Sequence, residues 1–106
     1  MLRILIKETT SYGTRDKFKE MLNNELYGEE FNHAIVRYDK CYGINENDAP
    51  ENWTLQLYSE NYHISFFCLA AGFGGTGPHD LKSILDLCGF KDTERVFTEV
   101  SLDFYN

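Results

Sequence analysis

At the start of the chain Leu2, Ile4 and Ile6 alternate with Arg3, Leu5 and Lys7, the two-residue period of a strand with one buried face. From Thr14 the period lengthens. Phe18, Met21, Leu22 and Leu26 share one helical face, Thr14 is placed to cap it and Gly28 to stop it, which predicts a helix over 15–27. Residues 31–42 are rich in β-branched and aromatic side chains, set Ala34, Val36 and Tyr38 on one face and end at Gly43, predicting a second strand. The polar stretch 45–52 contains Pro50 and has no period, so it reads as an exposed loop.

Trp53, Leu55 and Leu57 then alternate with Thr54, Gln56 and Tyr58 as a third strand. After a turn at Glu60-Asn61, residues 62–71 are apolar on both faces, the pattern of a central strand buried on two sides. Leu81, Ile84, Leu85 and Cys88 recur at helical spacing, with Pro78 expected at the first helical position and Gly89-Phe90 as a stop with its hydrophobic contact. Val96, Thr98, Val100, Leu102 and Phe104 alternate as a last strand. The order β-α-β-β-β-α-β predicts an α+β fold: one two-layer domain over residues 1–106, with a five-stranded mixed sheet and two helices packed on it. Strand order and oligomeric state are not expressed in this pattern.

A length of 106 residues fits one core. Ten Lys and Arg against seventeen Asp and Glu give a net charge of −7, which argues against direct binding of nucleic acid. The same surface would attract a basic protein. No apolar run is long enough for a membrane span or a signal-peptide core, so a cytoplasmic protein without membrane contact is expected. Cys41, Cys68 and Cys88 are odd in number and scattered, as reduced thiols would be.

Gly72-Phe73-Gly74-Gly75-Thr76-Gly77 has Gly-x-Gly-x-x-Gly spacing between an apolar run and a helix. Such glycines let a backbone turn tightly and bring its N–H groups against a phosphate at a helix N-terminus. The loop is not a Walker A motif, because Pro78 and His79 follow the last glycine in place of Lys and Ser or Thr. The 29 residues after Gly77 hold one helix and one strand, too few for a dinucleotide-binding domain. What remains is a local anion cradle from the amides of Gly72, Gly74, Gly75, Thr76 and Gly77. His79 is a further donor, while the missing N–H of Pro78 and the carboxylate of Asp80 oppose the site. The bland alternative is a sharp turn from strand to packed helix.

Other chemistry is thinner. His33, His63 and His79 with the cysteines show no metal-ligand spacing, and the loop 45–52 has Pro50 where a calcium loop needs glycine. No metal or cofactor is expected. A cysteine nucleophile with His79 and Asp80 would need Cys68 or Cys88, both on faces predicted to be buried, and adjacent helical residues such as His79 and Asp80 diverge. No catalytic set is assigned. Tyr58, on the second face of its strand, is expected to stack on a base or to centre a protein interface. Two functions follow as expectations. One is non-catalytic capture of a small phosphate-bearing or nucleotide-like ligand at the glycine loop, with Tyr58 or nearby aromatics on the base. The alternative is an acidic interaction module, such as a phage-type inhibitor, that blocks a basic, nucleic-acid-binding protein.

Overall fold

The computed structural model describes residues 1–38 and 53–106. Its elements run β1 (Leu2–Ile6), α1 (Ser11–Leu22), β2 (Phe31–Arg37), β3 (Leu55–Ser59), β4 (Tyr62–Phe66), α2 (Thr76–Leu87), a 3-10 helix (Thr93–Phe97) and β5 (Ser101–Tyr105). The α+β class and the order β-α-β-β-β-α-β are as the periodicities predict. The five strands form one mixed sheet in the order β1-β4-β3-β2-β5. β1 and β4 are parallel, and the remaining neighbours are antiparallel.

Register puts the even-numbered residues of β1, β4 and β5 on one face with Ala34 and Val36 of β2 and Leu55 and Leu57 of β3, and a register shift between Phe31 and His33 adds Phe31: Ile4 opposes Ile64, Ile64 opposes Leu57, Leu57 opposes Ala34, and Ala34 opposes Phe104. Both helices cover this face. Phe18 of α1 packs edge-on against Phe66 (centroids 5.3 Å apart) and tilted against Phe31 (5.9 Å), and Leu81, Ile84 and Leu85 of α2 join the same core. Because β1 and β4 are parallel and each leads into a helix, α1 and α2 both start at the same end of the sheet and pack side by side. The 3-10 helix brings the chain back to that end, where the N–H of Gly72 donates to the Val96 carbonyl (2.7 Å).

Several boundaries differ from the sequence reading, each for a local reason. The cap of α1 is Thr10, whose Oγ1 accepts from the Gly13 N–H (2.9 Å), while Thr14 is buried inside the helix and donates its hydroxyl to the Thr10 carbonyl (2.8 Å). The helix ends at Leu22; Leu26 remains in the core through an irregular turn that closes at Gly28 with φ +79°. Trp53 and Thr54 precede β3, and β4 stops at Phe66, so Leu69, Ala70 and Ala71 are buried as a loop rather than as the second face of a strand. Pro78 is the third helical residue of α2, with Gly75 as the cap; its missing N–H costs nothing there, because the first helical bond runs from His79 to Gly75 (3.0 Å). Val96 is buried in the 3-10 helix, and β5 begins at Ser101. The predicted continuation of the second strand to Tyr42, the loop 45–52 and Cys41 lie outside the described residues.

Candidate functional site

Parallel pairing of β1 and β4 creates a cleft that no sequence pattern announced. About 440 Å³ in volume, it lies where both strands end and both helices begin. Thr9, Thr10 and Ser11 line it from the α1 side, Thr76 and Gly77 from the α2 side, and Tyr38, Phe67 and Cys68 complete its wall. Gly75 has no side chain to cap α2, so the N–H groups of Thr76 and Gly77 have no acceptor among the described residues. Two helix starts at one end sum their positive poles. Asp80 is their internal counter-charge. It is 4% exposed and accepts from Ser11 Oγ (2.6 Å) and Arg15 Nη1 (2.8 Å), both on α1. The carboxylate expected to oppose an anion is therefore engaged between the helices.

The glycines divide by role. Gly72 has φ +95°, and a Cβ on it would lie 2.4 Å from Val100 Cγ1; a Cβ on Gly77 would lie 2.7 Å from that of Ala70. Those two are needed for packing. Gly74 faces open space, and a Cβ on Gly75 would meet only the movable ring of Phe73 at 2.9 Å, so neither is needed by the fold. His79 is exposed on the first turns of α2 and does not line the cleft.

Tyr58 is not brought to this site. It projects from the opposite face of the sheet, level with the N-terminal half of β4, in a row of stacked rings: Tyr105, His33, Tyr58 and His63. Neighbouring centroids are 4.4, 5.4 and 4.3 Å apart, with planes within 22° of parallel. Stacked neighbours therefore take up ring faces of both His33 and Tyr58, and the row packs against itself on the face away from the cleft. Below the row Gln56 Oε1 accepts from Tyr58 Oη (2.9 Å) and pairs with His63 Nε2, and burial, with Arg3 nearby, lowers the His63 pKa. The aromatics that do share the cleft are Tyr38 and Phe67, with Lys7 Nζ 5.0 Å over the Phe67 ring and Phe73 6.4 Å from Tyr38. Sequence reasoning missed Thr9, Thr10, Ser11, Tyr38 and Phe67, because they join the glycine loop only through strand order.

At the other end, a cavity of about 560 Å³ is bordered by Glu29, Glu30, Glu60 and the last residues of both helices. Its carboxylates and helix C-termini make it a negative pole, unfit for phosphate. No group of three His, Cys, Asp or Glu among the described residues could hold a metal ion, and no described helix is long and apolar enough to cross a membrane. Cys68 and Cys88 are free thiols; burial raises both pKa values, Cys88 to about 12, so neither is poised as a thiolate nucleophile. Comparisons with protein-family models, with curated proteins and with solved structures return no match.

Proposed function

We propose that this chain is a non-catalytic binding protein that captures a small phosphate-bearing or nucleotide-like ligand in the cleft between the starts of α1 and α2. The observation that carries this reading is the pair of amides at Thr76 and Gly77, without an acceptor among the described residues, in the same cleft as the Thr9, Thr10 and Ser11 hydroxyls. A phosphate oxygen would accept from those amides, and a base would lie against Phe67 and Tyr38. Lys7, beside Phe67, would supply a cation at the rim. The net charge of −7 repels anions at range, but the charges are spread over the surface and screened beyond ~8–10 Å in physiological salt, so donors in the cleft decide at contact.

A thermal-shift screen of inorganic phosphate, mononucleotides, cyclic and linear dinucleotides and sugar phosphates tests it. At 100 times its Kd a ligand stabilises by ~2.7 kcal/mol, a rise on the order of 10 °C for a domain of this size. Thr76→Pro should remove the response without unfolding the protein. Thr76 is the first helical residue, where proline is well tolerated, and Gly75 before it is extended, so the change deletes one free N–H. Gly75→Val should also abolish binding by blocking backbone approach. If none of these compounds shifts the wild type, or if Thr76→Pro responds equally, the loop is only a turn.

The acidic interaction module remains the second reading, favoured by the cavity at Glu29, Glu30 and Glu60. A basic partner held there would dissociate steeply with salt, and Glu30→Lys with Glu60→Lys would slow its association. Affinity insensitive to salt and to both reversals would dismiss it. The loop carboxylates Glu46, Asp48 and Glu51 lie outside the described residues.

A further inference from the structure

β1 is the last strand of the sheet, and its outer edge is unpaired among the described residues. The N–H of Leu2 donates to the Asn61 carbonyl and the Ile6 carbonyl accepts from Phe67, so Leu2, Ile4 and Ile6 turn their backbone groups toward β4. Arg3 and Leu5 therefore turn both N–H and C=O outward, where nothing among the described residues receives them. Soluble proteins blunt such an edge with proline, a bulge or central charges. β1 has no proline, its register against β4 is unbroken, and Arg3 is the one charge in it, beside the exposed Leu2 (64%) and Leu5 (48%).

We infer that this edge pairs with the β1 edge of a second copy of the chain, antiparallel about a two-fold axis at Ile4, joining two five-stranded sheets into one of ten strands. The occupant follows from charge and register. Outward-facing residues must oppose outward-facing residues, which allows three symmetric registers. Centring on Arg3 sets Arg3 against its own copy, and centring on Leu5 sets Arg3 against Lys7 of the second copy. Like charges directly opposite destabilise both. Centring on Ile4 sets Arg3 against Leu5, Ile4 against Ile4 and Leu2 against Ile6, uses the whole strand and opposes no two like-charged side chains. The other edge, β5, lacks this option: its full-length symmetric register sets the exposed Asp103 against itself.

The contact is small. A five-residue edge buries well below the ~1,600 Å² of a standard interface, so the dimer should be weak, with a Kd on the order of 10 µM to 1 mM. Two bodies of charge −7 repel, so added salt should strengthen it.

Sedimentation velocity on the full chain under reducing conditions tests the inference. The wild type should pass from monomer to dimer with concentration, at lower concentration in ~0.3 M salt than in low salt. Arg3→Pro removes an outward N–H and no bond to β4, so it should stay monomeric with an unchanged circular-dichroism spectrum; Leu5→Lys, which faces Arg3 of the second copy, should do the same. Ile4 pairs lie ~4.5 Å apart at Cα, within disulfide range, so oxidised Ile4→Cys should give a 4–4 cross-link by peptide mass mapping, and Leu2→Cys should not link to itself. A wild type that stays monomeric at millimolar concentration overturns the inference. So does dimerisation of Arg3→Pro and Leu5→Lys at the wild-type concentration, or a cross-link at Leu2→Cys and none at Ile4→Cys. The cleft opens at the end of β1, but the Thr76 and Gly77 amides proposed to hold a phosphate are not on this edge, so Thr76→Pro tests ligand binding and Arg3→Pro tests dimerisation separately.

Discussion

Single atoms separate what this fold needs from what it leaves free. Gly72 combines φ +95° with a neighbour 2.4 Å from any added Cβ, whereas Gly74 has an ordinary φ and open space. Gly72→Ala should therefore cost about 1–3 kcal/mol in chemical denaturation. Gly74→Ala should stay within ~0.5 kcal/mol of the wild type. Equal losses at the two positions would show that the loop is not held as described. Ser65 makes the opposite case. It is 1% exposed, and its Oγ is buried without a partner among the described residues, the desolvation of a hydroxyl with no return bond. Ser65→Ala should raise stability by up to ~1 kcal/mol, and a marked loss instead would mean that the hydroxyl has a partner in solution.

Elements were legible in the sequence where their signals were local. The end of α2 is the clearest: Gly89 at φ +83° donates to the Asp86 carbonyl (3.0 Å) and Phe90 to that of Leu85 (3.2 Å), so the Gly-Phe stop is a Schellman cap set by neighbouring residues. The start of α1 was misread at Thr14 because a threonine one turn inside a helix looks like a cap by residue type alone, whereas the cap is Thr10. Thr10→Ala should cost ~1 kcal/mol as the loss of a cap, and an unchanged stability in denaturation would mean that Thr10 does not cap the helix. The run 62–71 misled because alternation cannot distinguish a buried strand from a strand followed by a buried loop, and Val96 because a short 3-10 helix also buries one residue in several. The candidate site was half legible. Its glycine loop is contiguous, but the Thr9–Ser11 half arrives through parallel pairing of β1 with β4, between residues about 60 apart in the chain, and Tyr58 was misplaced for the same lack of a strand order.

At the scale of the molecule, stability should form a plateau in pH bounded by two groups of known sign. His63 has its pKa lowered by burial first and Arg3 second, so the folded state binds that proton less readily than the unfolded chain. Its contribution is complete above the ordinary value of 6.5 and is lost as pH falls through the lowered folded value. Cys88 has the opposite sense. Burial raises its thiol from 9.0 to about 12, so above pH 9 the unfolded chain sheds a proton that the folded state retains, and stability falls as pH rises toward 12. The slope of that limb is at most ~1.4 kcal/mol per pH unit for one group. The rest of the chain also contributes to the pH dependence, so the measurement is a difference: wild type minus Cys88→Ala should narrow between pH 9 and 12, and wild type minus His63→Phe should narrow below 6.5. The alkaline test is the sharper one, because Cys88 sits beside the last turn of α2, where helix carbonyls further disfavour a thiolate. Parallel curves above pH 9 would mean that Cys88 ionises in the folded protein, and that the end of the molecule carrying both helix C-termini is open to water.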